Sequence, residues 1–138
     1  MLRNYTDADY ENLKELYQHS EWFGGQFDDD RDSQQRLAKI IARDPEAIIV
    51  AEEGGKIIGS ISLFEDGRTA WLFRFVVKDN KESVVKELYE RAAAILRERG
   101  HEQVMASAPV GEESFRKRYV EALGMIKTED YTYYWTRI

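Results

Sequence analysis

The chain has 138 residues, no cysteine and two histidines, and its 20 Lys and Arg against 26 Asp and Glu give a net charge of −6. The lack of cysteine excludes disulfides and thiolate metal sites. His19 and His101 lie far apart with no ligand spacing around them, so a metal enzyme is not expected. The acidic balance argues against nucleic-acid binding, which draws most of its affinity from basic faces, and mildly favours cationic partners such as amines. With 43% hydrophobic and 33% charged residues, the composition suits one soluble globular domain. The N-terminus carries no apolar signal core and no apolar run is long enough to cross a bilayer, so the expectation is a cytoplasmic protein without a membrane partner.

Leu2-Arg3-Asn4-Tyr5 reads as a short strand, after which Thr6 or Asp7 caps a helix over residues 8–19 with Leu13, Leu16 and Tyr17 on one face. A loop over residues 20–30 follows, broken by Gly24-Gly25 and ending in Asp28, Asp29 and Asp30. The second helix, residues 33–43, carries Leu37, Ile40 and Ile41 and stops at Asp44-Pro45, since the residue before proline is pushed out of helical space. Strands over residues 47–52 and 56–64 flank Glu53-Gly54-Gly55, a hairpin turn that uses glycine at positive φ.

Asp66-Gly67 turns the chain into a third strand, residues 69–77. Its Trp71, Phe73, Phe75 and Val77 alternate onto one face, with Leu72 and Val76 on the other. Arg74 in that strand needs either a partner or an opening to water. Residues 81–99 make the clearest helix, with Val84, Val85, Leu88, Ala92, Ile95 and Leu96 at helical spacing and Gly100 as its stop. A strand over 102–107, a helix over 112–123 closed by Gly124, and an aromatic strand over 131–138 complete the chain.

Several of these stretches resemble the GNAT-type N-acetyltransferase family. They are the opening Arg-Asn-Tyr-Thr-Asp-Ala-Asp, the hairpin Ile49-Val-Ala-Glu-Glu-Gly-Gly-Lys-Ile-Ile-Gly-Ser-Ile-Ser with Gly59 in its second strand, and Tyr119-Val-Glu-Ala-Leu-Gly-Met. The resemblance covers essentially the whole chain as one domain, residues 1–138, and implies an α/β fold: a mixed, mostly antiparallel sheet flanked by helices. It implies acetyl-CoA as cosubstrate, held in a V between the strands at 69–77 and 102–107, with a bulge in the first of them. The backbone of Phe75, Val76 and Val77 would then form one wall. The family's phosphate motif aligns on Asn80, Ser83 and Val85, so glycine is missing where backbone amides normally wrap a pyrophosphate beside a helix N-terminus.

Two readings of that loop stand side by side. In one, helix amides, Ser83 and the cations Lys78, Lys81 and Lys86 still hold the cofactor, despite Glu82. In the other, Val84 and Val85 simply begin an ordinary amphipathic helix and the site is lost. The first makes the protein an N-acetyltransferase moving an acetyl group from acetyl-CoA to a primary amine, small molecule or peptide, by direct transfer. The second makes it an inactive binding or regulatory domain.

By resemblance Tyr119 is the proton donor to the departing thiolate, though it stands five residues before Gly124 where the family has four, a rotation of about 100°. No acid occupies the strand where the family often keeps its base. Glu65 and Asp66 read as turn residues. His19 is a candidate base or a helix-end dipole partner, and His101 reads as a surface turn residue. Trp22, Phe23 and Phe27, with Tyr131, Tyr133 and Trp135, are candidates for an aromatic acceptor pocket; the last three are equally suited to a homodimer contact. The three aspartates would draw in a cationic amine or simply sit solvated before a helix.

Overall fold

Apolar alternation builds a five-stranded sheet in this computed structural model, which describes residues 1–20 and 27–138. The strands are β1 (Leu2–Asn4), β2 (Ile48–Glu53), β3 (Lys56–Glu65), β4 (Ala70–Val77) and β5 (Met105–Ala106), in spatial order β1-β2-β3-β4-β5. The first three pairings are antiparallel and β4–β5 is parallel. Gly54 and Gly55, with φ of 58° and 75°, make the tight β2–β3 turn that two successive left-handed residues allow.

The helices are α1 (Tyr10–Gln18), which continues a 3₁₀ turn at Asp7–Asp9, α2 (Gln34–Arg43), α3 (Glu82–Glu98) and α4 (Glu113–Arg116). The last runs on into a π-helical stretch, Lys117–Ala122. Ser33 caps α2 by accepting a hydrogen bond from the Arg36 amide. Among the described residues no helix is long and apolar enough to cross a membrane.

Each face of the sheet has its own core. Val85, Leu88, Ile95 and Leu96 of α3 pack on Ile49, Ile61, Leu72, Phe75 and Val77. On the other face Leu13, Leu16 and Tyr17 of α1 and Leu37 of α2 cover Ile48, Val50, Ile57 and Val76. Gly59 permits the first packing: a Cβ there would meet Leu88 Cδ1 at 2.9 Å and Val84 Cγ1 at 3.1 Å. The side chain is absent because a helix lies where it would go.

Three expectations are corrected. The simple alternation along β4 fails, because Ser60 pairs with Val76 but Ser62 with Phe73, leaving Arg74 and Phe75 opposite Ile61. This bulge, with Arg74 at φ 48°, shifts the parity of everything after it. Phe75 and Val77 therefore share the α3 face with Leu72, while Phe73 is left 44% exposed. Second, the strand expected over 102–107 is paired only at Met105 and Ala106.

Third, residues 131–138 form no strand, and Tyr131, Tyr133, Tyr134 and Trp135 are exposed. Aromatic alternation favours a strand only where a partner edge supplies ladder bonds. No described strand pairs with this segment.

Candidate active site

β4 and β5 pair through Trp71–Met105 and Leu72–Ala106 and then part, so the far half of β4 has β3 on one edge and a gap on the other. A bulge and a divergence at the same place leave backbone groups aimed into open space, which is what a ligand with amide groups can use. Beside this gap lies a cavity of about 710 Å³. Its walls include Leu16 and His19 from α1, Val76 and Val77 from β4, Asn80 from the following turn, and Phe115 and Arg118 from the last helix.

The turn from β4 to α3 contains no glycine, yet it bends as glycine would. Lys78–Asn80 is a short 3₁₀ turn in which Asp79 and Asn80 sit at φ 54° and 48°, in the left-handed region. Asp and Asn enter that region at lower cost than other side-chain-bearing residues. α3 begins immediately afterwards, with Lys81 as its N-cap. The first-turn amides of a helix have no intrahelical acceptor, and the dipole adds partial positive charge. Ser83 is exposed in this turn. Val85 lies deeper: its side chain is in the α3 core, and its amide already donates to the Lys81 carbonyl at 3.0 Å.

The nearby cations divide by partner. Lys81 lies 3.5 Å from Glu53, and Lys86 pairs with Glu82 one helical turn away, which also neutralises the acid expected to repel a phosphate. Lys56, on the cavity wall, lies 3.7 Å from Glu15. Lys78 makes no ion pair among the described residues.

Arg118 was not anticipated from sequence. It is 7% exposed, its Nη1 donates to the Phe75 carbonyl at 2.6 Å, and its Nη2 donates to Asn80 Oδ1. The guanidinium carbon also lies 5.0 Å from the Phe75 ring centre and 5.9 Å from that of Phe115. A detectable signal exists: Arg118 falls three residues after Phe115 and one before Tyr119, on the apolar stripe of an amphipathic helix. A cation on that stripe is out of place unless it has work there.

Tyr119 is half-buried, its ring stacked on Phe115 at 6.1 Å and tilted against Phe75 at 6.3 Å. Burial pushes its hydroxyl pKa up and Arg118 offsets part of the rise, so the phenol keeps its proton. The five-residue spacing to Gly124 has a structural counterpart. In the π-helical stretch the Leu123 amide donates to the Arg118 carbonyl at 3.1 Å, a wider ring that takes up the additional residue.

The other candidates are distributed as follows. His19 Nδ1 donates to the Glu15 carbonyl at 2.8 Å, and the residue lines the cavity. Phe27 packs against the α1–α2 core with Lys14 Nζ 5.7 Å from its ring centre. Trp22 and Phe23 lie outside the described residues. Asp28 accepts from the amides of Asp30 and Arg31, and Asp30 pairs with Arg36, so these two act within the loop and helix start.

Asp32, not singled out beforehand, answers the question of Arg74: two hydrogen bonds of 3.0 and 2.8 Å join them, with both side chains at most 4% exposed. Asp66 accepts from the amides of Arg68 and Thr69 within its turn. His101 is corrected from a surface residue, since its side chain is 6% exposed and bonds Glu65 at 2.7 Å. This contact holds the Glu65 carboxyl below its ordinary range. No group of three or more His, Asp or Glu suited to a metal occurs among the described residues.

An α/β sheet with a bulged fourth strand, splayed from a parallel fifth and followed by a helix N-terminus, defines a fold of the acyltransferase class. A family model described as Acetyltransferase (GNAT) family matches residues 10–125, and the chain belongs to that family. No curated protein matches it by sequence. Among solved structures it is similar to the PaiA N-acetyltransferase of Thermoplasma acidophilum in complex with coenzyme A, at 19% identity and TM-score 0.79, covering 96% of this chain and 92% of that one. AAC(6')-Iy in complex with the bisubstrate analogue CoA-S-monomethyl-acetylneamine matches at 16% identity and TM-score 0.74, covering 100% and 98%. Ard1 of Thermoplasma volcanium matches at 18% and 0.73, covering 94% and 84%.

Proposed function

We propose that the cavity between α1, β4 and the last helix takes acetyl-CoA, and that the protein transfers its acetyl group directly to a primary amine of a small molecule or peptide. The observation that carries this reading is the gap beside the bulge of β4, in a member of the GNAT family, opening onto that cavity. Similar folds have been solved with coenzyme A and with a CoA–neamine bisubstrate analogue, which supports both the cosubstrate and the acceptor class.

The residues present fit such a cosubstrate. The left-handed Asp79 and Asn80 supply the bend that glycines would give, so loss of the glycines is not loss of the turn. The backbone of Phe75, Val76 and Val77 forms the strand-like wall. Ser83 and the first amides of α3 face the phosphate end, while Val85 holds α3 in place from the core. When bound, the cosubstrate supplies an activated thioester. Tyr119, a phenol that keeps its proton at neutral pH and whose burial raises its pKa further, donates to the departing sulfur. His19 accepts the proton of the incoming ammonium group. An inactive scaffold is not the favoured reading.

The test is thiol release from acetyl-CoA against a panel of primary amines, run beside Tyr119→Phe. Turnover should fall about tenfold or more in the variant, in line with loss of a general acid. Unchanged turnover would remove Tyr119 from the mechanism. Absence of both turnover and cosubstrate binding would remove the whole reading.

A further inference from the structure

Every other buried or half-buried arginine engaged in the core has a carboxylate: Arg3 meets Asp9 and Glu52, Arg74 meets Asp32, and Arg99 meets Asp44. Arg118 has none among the described residues. Its acceptors, the Phe75 carbonyl, the Asn80 amide oxygen and the protonated Tyr119 hydroxyl, are neutral, and the Phe75 and Phe115 rings offer only their faces. A cation removed from water without a counter-charge is expensive to maintain. Here it also lines the cavity, as does Lys78. The acids on the same wall do not answer it: Glu15 faces Lys56, and Asp79 and Glu112 make no ion pair with it.

We propose that Arg118 is the principal anion receptor of the site, gripping the pyrophosphate of the cosubstrate from the last helix, opposite the β4–α3 turn. The guanidinium bonds Phe75 O and Asn80 Oδ1, groups at the two ends of the wall the ligand would line. A phosphate oxygen replaces the Asn80 contact and supplies the missing charge. A planar guanidinium suits such an oxygen pair better than a lysine ammonium does. The inference rests on the acyl-CoA reading for the identity of the ligand, but the anion site itself does not.

Calorimetric titration of the wild-type chain, Arg118→Gln and Arg118→Lys with CoA, inorganic pyrophosphate and pantetheine tests this. Arg118→Gln should weaken CoA and pyrophosphate about tenfold or more and leave pantetheine unchanged, with Arg118→Lys in between. Equal or tighter CoA binding by a folded Arg118→Gln would overturn the proposal, since the side chain would then merely fill the gap. Wild-type CoA binding indifferent to Arg118 would leave the acyltransferase reading standing without this inference. Arg118-dependent pyrophosphate binding without CoA binding would do the reverse. Should Arg118→Gln not fold, wild-type affinity must still fall as salt rises; a flat salt response, or no binding of either anion, overturns it.

Discussion

Two arginines lie within a few residues of the β4 bulge in space, one on each side of the strand, and both are almost fully hidden. Arg74 is 3% exposed and Arg118 7%. Arg74 is held by a two-point bond to Asp32, which ties the bulge to the turn ahead of α2 and closes that side. Arg118 meets only neutral oxygens and ring faces, beside a cavity. Burial alone therefore does not separate a structural cation from one that awaits a ligand. The counter-charge does.

That contrast can be broken most directly at Asp32. Asp32→Ala removes the carboxylate that meets Arg74 in the interior and should lower the unfolding free energy by about 3–5 kcal/mol, read by chemical denaturation. The matching change on the other side, Arg118→Met, abandons no carboxylate and should alter stability by about 1 kcal/mol or less. A large loss in the second variant would mean that Arg118 is as structural as Arg74.

A comparably small effect belongs to acid. Arg3, chiefly by hydrogen bonding, holds the Asp9 carboxyl at about 2, below its ordinary 3.8. A depressed carboxyl contributes stability above its unfolded value and loses it as pH falls through the folded one. The closed N-terminal side should thus lose about 1 kcal/mol between roughly pH 4 and pH 2, discounted for the partly exposed Arg3. Arg118 has no carboxylate to protonate, so its setting should not add to this loss. A pH series of denaturation midpoints, compared between wild type and Asp9→Asn, checks it.

Much of this architecture was legible in the sequence, for reasons that differ by element. The helix α3 repeats Val84, Val85, Leu88, Ala92 and Ile95 at helical spacing, and the β2–β3 turn needs its two glycines, so both are local signals. The β4 bulge has no residue signature: Arg74 and Phe75 occupy it, and only the resemblance implied it. The turn at Asp79 and Asn80 lacks the expected glycines, and its left-handed backbone angles have no sequence signature beyond the tolerance of Asp and Asn for them. Arg118 was overlooked within Phe115-Arg-Lys-Arg-Tyr119, where three cations in a row look solvated. The terminal aromatics misled in the opposite direction, because a strand is a relation between two edges and not a property of one segment.

The wide turn at Lys117–Ala122 works as a phase adjuster. A regular α-helix would convert one surplus residue into a swing of about 100°, carrying Arg118 away from β4. Here the surplus is stored as a bulge, and Phe115 stays seated while Gly124 still ends the helix. The residue count of this short stretch thus sets the direction in which the guanidinium points. Adding or removing a residue there redirects a charge without touching the sheet.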